Sequence, residues 1–260
     1  MTVYTLVPTN PSLYQLKKIL FTLNVPEGVT EIAENACREC NNLKTVVLPE
    51  GLQKIGEMAF YRSGVESINF PKTLKKIDAA AFAFCKLTDI ELPESLTEIG
   101  DGAFMANKKL VSAKILNAKK VGEKIFSNCF NLKTAELHNA DKLSARIFYL
   151  CSELDDLTIP FSVSYIGEYA LFECFALTEV KFSGDGEPLP EIAAKINEMI
   201  KENQKNNPHS SAKSSGSKVA SQLKKSFGAA FGDIGKDVMK TASKTKDAFG
   251  KVFGEFLKKK

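Results

Sequence analysis

Residues 97–107, T-E-I-G-D-G-A-F-M-A-N, decide the fold, because variants of this stretch recur along the chain. Related stretches begin at residues 30, 53, 75, 119, 141 and 164, so the spacing is 22 or 23 residues throughout. In each copy an aliphatic residue such as Ile99 is followed five positions later by a residue such as Phe104. A fixed period of this length is typical of solenoids, in which each repeat forms one supersecondary unit.

A second apolar pattern follows in every repeat, as in Leu132, Ala135 and Leu137. Its last two positions point to the same side of a short strand, and the G-x-x-A-F block suits a single helical turn. Proline, which ends a strand, closes most of these runs: Pro26, Pro49, Pro71, Pro93 and Pro160. One such unit cannot bury its apolar face alone, so the repeats must stack. Stacking predicts one internal aromatic column: Phe60, Phe82, Phe104, Phe126 and Phe148.

The combined pattern, L-x-x-I-x-L-P-x-x-L-x-x-I-G-x-x-A-F-x-x-C, resembles the BspA-like leucine-rich repeat family over about residues 19–182. The resemblance implies an α/β solenoid, a right-handed coil of short parallel strands with one-turn helices, followed by C-terminal helices. It also implies adhesion or protein recognition. Repeats five and six depart from the pattern, since Leu116 and His138 stand near the usual proline and Val121 and Leu143 replace isoleucine. We expect these changes to loosen two turns without disrupting the fold.

The segments flanking the repeats predict a cap at each end. Tyr14 and Leu20 fall in register with the repeats, which indicates a partial N-terminal repeat. Near the other end, one helical face carries the apolar residues Ile192, Ile196, Met199 and Ile200. The predicted organisation is an N-terminal cap at 1–18, a seven-repeat solenoid at 19–184, a capping helix at 187–206, a flexible linker at 207–218 and a basic amphipathic tail at 219–260.

Charge is unevenly distributed along the chain. The net charge of +4 divides into about −3 through Asp185, −1 from there to Pro208, and +8 over the remaining residues. The first residues lack the pattern of a secretory signal, and no run of about 18 apolar residues predicts a membrane span. We therefore expect a cytoplasmic protein whose six cysteines are thiols.

Five of these cysteines occupy one slot of the repeat, three residues after the aromatic column. They are Cys40, Cys85, Cys129, Cys151 and Cys174, and Ser63 and Asn107 fill the same slot elsewhere. A slot that accepts Cys, Ser or Asn predicts a buried ladder that hydrogen-bonds the backbone. The alternative is that Cys37-x-x-Cys40 forms half of a metal site or a redox pair.

No catalytic motif stands out in the sequence. It contains no G-x-S-x-G, no H-E-x-x-H and no phosphate-binding glycine loop. Carboxylates such as Glu98, Asp101 and Glu168 recur at turn positions where water solvates them. We expect a non-enzymatic protein with no catalytic residue, no cofactor and no bound metal.

The outward side chains of the L-x-x-V-x-L strands form a strand face that is the natural recognition surface. Its columns contain no Trp, Tyr or Arg, the residues that binding hot spots favour. Charged residues such as Glu91, Lys114 and Glu136 instead alternate in sign and can pair across strands. The face is therefore either a plain solvated surface or a protein-binding surface, and anchors could also lie on the turns. The candidate protein-binding residues are Lys44, Glu66, Asp89, Glu91, Lys114, Lys133, Glu136, Asp155, Asp156, Glu179 and Lys181.

The tail repeats apolar residues every eleven positions, as in Phe227, Val238 and Phe249. Eleven residues make three helical turns with little drift, so one apolar stripe faces away from the lysines, as in an interfacial membrane helix. The stretch K-T-K-D-A-F is similar to the lysine-threonine-lysine repeats of synuclein-type lipid binders. The candidate membrane-binding residues are Leu223, Phe227, Phe231, Ile234, Val238, Phe249, Val252 and Phe256, with Lys225, Lys236, Lys240, Lys244 and Lys251.

Two interpretations of the whole chain remain open. The first is an interaction scaffold for an unidentified protein, docked by its tail on an anionic membrane surface. The second is a soluble or surface adhesion-type module, whose tail packs with another helix to form oligomers or merely aids solubility. Nucleic acid is not an expected partner, because the tail has no arginine and its aromatic residues occupy their own face.

Overall fold

A computed structural model describes residues 4–6, 20–117 and 120–208. These residues form sixteen short strands, β1 to β16, and a C-terminal helix, α1. The elements are β1 (Tyr4–Leu6), β2 (Thr22–Asn24), β3 (Val29–Ile32), β4 (Thr45–Val47), β5 (Lys54–Ile55), β6 (Ser67–Asn69), β7 (Lys76–Ile77), β8 (Asp89–Leu92), β9 (Glu98–Ile99), β10 (Ser112–Ile115), β11 (Lys120–Val121), β12 (Thr134–Leu137), β13 (Lys142–Leu143), β14 (Asp156–Pro160), β15 (Tyr165–Ile166), β16 (Lys181–Ser183) and α1 (Pro190–Asn206).

The strands stack in two sets, and every recorded pairing is parallel. The even-numbered strands form sheets in the orders β2-β4-β6 and β8-β10-β12-β14-β16, and their outward side chains are the strand face. The odd-numbered strands form the sheet β1-β3-β5-β7-β9-β11 and the pair β13-β15, whose outward side chains we name the short-strand face. Because the chain visits each set once per repeat, it forms a parallel-stranded solenoid of about seven turns, which confirms the predicted fold.

The core lies between the two sets of strands. Phe60, Phe82, Phe104, Phe126 and Phe148 are all fully buried. Their rings stack in sequence with centroid separations of 5.1, 5.4, 5.9 and 5.7 Å. The predicted internal column is confirmed, and it gives each repeat a large apolar contact with the next one.

The G-x-x-A-F block differs from the predicted helical turn. Each repeat has two residues in the left-handed region, one inside the block and one two positions after it, such as Ala80 (φ 52°) and Phe84 (φ 61°), and among these positions only Gly102 is a glycine. Left-handed backbone is uncommon for other residues. Here it turns the N–H groups toward the next repeat: Ala80 N donates to Asp101 O at 2.9 Å and Phe84 N to Met105 O at 2.8 Å. Hydrogen bonds between repeats thus alternate with bonds inside the turn, where Ala83 N donates to Ala80 O at 3.1 Å.

The two divergent repeats coincide with a break in the short-strand set. The six-stranded sheet ends at β11, and β13 pairs with β15 alone. In regular repeats the residue after the aliphatic column donates its backbone N–H to the previous repeat, as Gly100 N does to Ile77 O at 2.8 Å. At the break the hydroxyl of Ser144 bonds to Val121 O at 2.6 Å. The solenoid continues through the break, as the sequence predicts.

Helix α1 begins at Pro190, where the fixed φ of proline suits the first turn of a helix. Its buried side chains include Ile192, Ile196 and Ile200, which join the core cluster, and Met199 packs against that cluster. In the segment predicted as an N-terminal cap, β1 pairs with β3. Among the described residues, no helix has the combination of length and hydrophobicity that a transmembrane span requires.

Candidate protein-recognition surfaces

The strand face has the predicted register. Glu91, Lys114 and Glu136 lie side by side on β8, β10 and β12, and Lys181 continues the same column on β16. A neighbouring column joins Asp89, Ser112, Thr134 and Asp156. The predicted protein-binding residues are all exposed or half-buried, so they share one accessible surface.

Some charges on the strand face are paired within the chain. Lys114 Nζ lies 3.6 Å from Glu136 Oε2, and Lys181 Nζ lies 2.8 Å from Asp156 Oδ2. The Asp156 carboxylate raises the pKa of the Lys181 ammonium chiefly through this hydrogen bond. Glu66 forms an ion pair with Lys109 at 3.3 Å, and Asp89 accepts a hydrogen bond from Ser112 at 2.6 Å.

Other charges on this face have no ion-pair or hydrogen-bond partner for their side chains within the described part of the chain. This group is exposed and contains both signs: Lys44, Glu91, Lys133, Asp155 and Glu179. The alternating trio of the sequence prediction is therefore only half paired, because no ion pair joins Glu91 to Lys114 in these residues. Two apolar side chains, Phe21 (58% exposed) and Val47 (50% exposed), lie on the same face near its first strands.

The short-strand face carries a continuous series of ion pairs that the sequence analysis did not identify. Lys54 contacts Glu31 at 2.7 Å and Asp78 at 3.5 Å. Lys76 joins Asp78 at 3.1 Å and Glu98 at 3.0 Å, and Lys120 reaches Glu98 at 3.8 Å. These contacts raise the pKa of the Lys54 ammonium, chiefly through its hydrogen bond with Glu31. The signal in the sequence was the charged residue directly before or after the aliphatic column in successive repeats, as at Lys54 and Asp78.

A polar cavity of about 310 Å³ opens on the short-strand face beside β9 and β11. Its lining includes Glu98, Asp101, Lys120, Asp141 and Lys142. Within residues 4–6, 20–117 and 120–208, no group of three or more His, Cys, Asp or Glu side chains is placed to bind a metal ion. The cavity therefore offers charges of both signs.

The turn face, formed by the outward side chains of the G-x-x-A-F block and of the two residues that follow it, carries all three arginines of the chain. Arg38 lies over the Tyr61 ring at 5.2 Å, and Arg62 lies over the rings of Tyr61 and Phe84 at 5.5 and 5.6 Å. Tyr61 is buried in a small apolar cluster separate from the core. The third arginine, Arg146, lies over the Tyr169 ring at 5.2 Å, four repeats after Arg62. Tyr and Arg, two of the hot-spot residue types absent from the strand face, are thus found on the turns, the alternative location that the sequence left open.

The cysteine slot forms the predicted ladder. Cys85, Cys129, Cys151 and Cys174 donate to the carbonyl of the aromatic-column residue in the preceding repeat, at 3.0 to 3.4 Å. Asn107 replaces a thiol and donates to Phe82 O and Phe104 O at 2.8 Å each.

Burial makes the ladder thiols poor nucleophiles. It raises the pKa of Cys85 and Cys129 to about 12 and shifts the pKa of Cys151 and Cys174 in the same direction. Because the thiolate is the reactive form, these cysteines serve packing and hydrogen bonding. Cys37 and Cys40 are buried as well.

The predicted membrane-binding residues, from Leu223 to Phe256, lie outside the described residues, as do residues 118–119. The linker is described only for its first two residues, Asn207 and Pro208.

Comparisons with known proteins agree with this architecture. A leucine-rich repeat protein from Bacteroides ovatus is 28% identical, with a TM-score of 0.50 over 60% of this chain, which spans only 47% of that protein. A leucine-rich repeat protein from T. pallidum is 24% identical and has the same fold, with a TM-score of 0.58 over 70% of this chain and 83% of its own. No curated protein matches the sequence. The model of the BspA-type leucine-rich repeat region matches residues 12–133 and 75–197 in six copies, so the chain belongs to the BspA-type leucine-rich repeat family.

Proposed function

We propose that this chain is a non-enzymatic scaffold that binds an unidentified protein through its strand face. Proteins of this family and fold are generally binding scaffolds without catalytic activity. The observation that carries the proposal is the set of exposed charges on the strand face with no side-chain partner in the described residues: Lys44, Glu91, Lys133, Asp155 and Glu179.

The arrangement of these charges suits a protein better than a small molecule. Lys133, Asp155 and Glu179 lie on successive repeats, which are separated by roughly 5 Å in a parallel stack. They therefore span an extended surface of mixed sign. Mixed charges on a regular surface select a partner by electrostatic complementarity and fix its register. A surface preorganised by paired strands also contacts a partner with little rearrangement.

Charge reversal on two faces tests the proposal. The strand-face variant combines Lys133→Glu, Asp155→Lys and Glu179→Lys. The matched control combines Lys142→Glu, Asp141→Lys and Glu168→Lys, which are exposed residues outside the strand face. Each full-length variant is used to capture proteins from a lysate of its own cells, with quantification by mass spectrometry. We expect a partner retained by the unmodified chain and the control and lost by the strand-face variant. Equal retention by both variants would contradict the proposal.

We also propose that residues 219–260 dock the scaffold on an anionic membrane surface. The support comes from the sequence: a charge of about +8 after Pro208 and apolar residues repeated every eleven positions. Anionic lipids are concentrated in the cytoplasmic leaflet, so the proposal places the chain on that side of a membrane.

Liposome co-sedimentation of the full chain tests the membrane proposal. We expect binding to vesicles containing phosphatidylserine, weaker binding at high salt, and loss of binding when Phe227 and Phe249 are changed to Asp. A chain that sediments with neither anionic nor neutral vesicles, and that self-associates in light scattering, would favour the soluble module oligomerising through its tail.

A further inference from the structure

Arginine is used sparingly in this chain: it accounts for three of the 35 basic residues, and the others are lysines. Each arginine lies over an aromatic ring of the turn face. The Arg62 guanidinium contacts two rings, that of Tyr61 at 5.5 Å and that of Phe84 at 5.6 Å. Lysine charges a solvated surface equally well, so arginine at these positions indicates a use for the planar guanidinium.

The two rings that contact Arg62 form a fixed platform. Tyr61 is 5% exposed and packs with Ala83 and Met105 in the apolar cluster separate from the core. Phe84 packs against the same cluster, and its ring meets that of Tyr61 edge-on at 5.5 Å between centroids. The backbone is fixed as well, since Arg62 N donates to Ala83 O at 2.9 Å. The Arg62 side chain is therefore ordered before a partner arrives, which lowers the entropic cost of binding one.

The N–H groups of the Arg62 side chain have no partner within residues 4–6, 20–117 and 120–208. The side chain is half-buried, donates no hydrogen bond and forms no ion pair in these residues. Glu39, one repeat earlier at the same turn position, is paired with Arg38 at 3.8 Å. Arg62 therefore keeps the planar set of donors that binds a carboxylate or a phosphate through two parallel hydrogen bonds.

The charges around Arg62 favour one carboxylate over a polyanion such as nucleic acid. Glu34, Glu39 and Glu57 are exposed on the same part of the turn face. They would repel a row of phosphates, because like charges brought together disfavour a complex. A single carboxylate flanked by basic and apolar side chains avoids this repulsion, since its basic neighbours face the glutamates and its apolar neighbours face the rings.

We propose that Arg62 anchors a second protein-binding surface, on the turn face, and binds one carboxylate of a partner segment whose neighbouring side chains are basic and apolar. Arg and Tyr in a well-packed setting are the residue types that dominate interface energetics. The site shares no residue with the strand face, so one chain binds two proteins independently.

Nuclear magnetic resonance of the full chain tests this site, because three arginines give only three side-chain Nε–H signals. The probe is the end-blocked peptide K-L-E-L-K, and the control peptide K-L-Q-L-K lacks only the carboxylate. Both peptides carry a net positive charge, so the basic tail does not attract them. The variant Arg62→Lys is compared with Arg146→Lys, which removes a guanidinium that also lies over a tyrosine, four repeats away.

We expect millimolar K-L-E-L-K to shift the Arg62 signal and to leave the Arg146 signal unchanged. K-L-Q-L-K should bind at least about tenfold more weakly, the effect of losing a hydrogen bond between charged groups. Arg62→Lys, measured through the backbone amide of Phe84, should weaken binding of K-L-E-L-K by a similar factor, because an ammonium cannot form the two parallel hydrogen bonds. Arg146→Lys should leave that binding unchanged.

Equal responses to the two peptides, including no response to either, would overturn the proposal, and so would equal effects of the two variants. Stronger binding of oligothymidylate than of K-L-E-L-K would overturn it in favour of phosphate recognition. Urea denaturation shows whether both variants fold. If Arg62→Lys does not, the comparison of the two peptides on the unmodified chain decides alone.

Discussion

The strand face and the short-strand face rest on the same core but use their charges differently. On the short-strand face, Lys54 and Lys76 each contact two carboxylates, so the charges form a connected series across five repeats. On the strand face, Lys114 and Lys181 each have one carboxylate, and Lys133 has none among the described residues. The two sets of strands in one solenoid thus differ in which charges they leave available to a partner.

The difference follows from spacing along the strands. On the short-strand face acids and lysines stand at neighbouring positions in successive repeats, so each long lysine side chain reaches two carboxylates. On the strand face, neutral side chains such as Asn69 and Thr158 interrupt the columns of charged residues. A charge without an internal partner costs nothing while water solvates it, and it is available for a charged partner.

The largest expected effect lies in the aromatic column beneath both faces. Phe104→Ala removes the ring that stacks between Phe82 and Phe126, leaving a cavity in a fully buried position. We expect the free energy of unfolding to fall by about 3–5 kcal/mol in urea denaturation. The exposed Val111→Ala is the control and should change it by less than about 0.5 kcal/mol. Similar values for the two variants would mean that the column does not support the stack.

A smaller loss is expected in the ladder. Asn107→Ala leaves Phe82 O and Phe104 O without this donor and Leu87 N without its acceptor, Asn107 Oδ1. We expect the free energy of unfolding to fall by about 1–3 kcal/mol. Asn107→Cys should cost less, because Cys129 and Cys151 donate from the same slot in other repeats. Equal losses for Ala and Cys would contradict the ladder interpretation.

Alkaline pH tests the ladder thiols in another way. Burial raises the pKa of Cys129 from its ordinary 9.0 to about 12 in the folded chain. Above pH 9 the unfolded chain loses this proton while the folded chain keeps it, so folding becomes less favourable as pH rises from 9 toward 12. Each such thiol should lower the free energy of unfolding by about 1.4 kcal/mol per pH unit in that window. Urea denaturation at about pH 8 and about pH 10 measures this change in stability. The stability of the Cys129→Ala variant should depend less steeply on pH than that of the unmodified chain.

The smallest expected effect separates the two faces directly. Lys54→Met on the short-strand face breaks the contacts with Glu31 and Asp78 and should lower stability by about 0.2–1 kcal/mol, less at high salt. Lys133→Met on the strand face should leave stability unchanged. Thermal unfolding at low and high salt measures both changes. A salt-dependent loss for Lys133→Met as large as that for Lys54→Met would remove the contrast between the faces.

Several features could be predicted because they depend only on period. Side chains 22 or 23 residues apart stack directly, so Phe104 in the column and Cys129 in the ladder were found from the sequence. The paired positions of Lys114 and Glu136 followed from the same register. The turn geometry could not be found in this way, since alanine and phenylalanine at left-handed positions, such as Ala80 and Phe84, carry no sequence signal for that conformation.

By itself, the sequence determined the repeat, its register, the internal columns and which residues face outward. In a regular stack, the spacing of residues along the chain determines where each side chain lies. Only the tertiary structure decided which charges pair, which rings the arginines cover, and that Asn203 of α1 donates a hydrogen bond to Leu171 O. The physical reason is that these contacts depend on side-chain reach and on where a non-repeating helix comes to lie. No period along the chain specifies either.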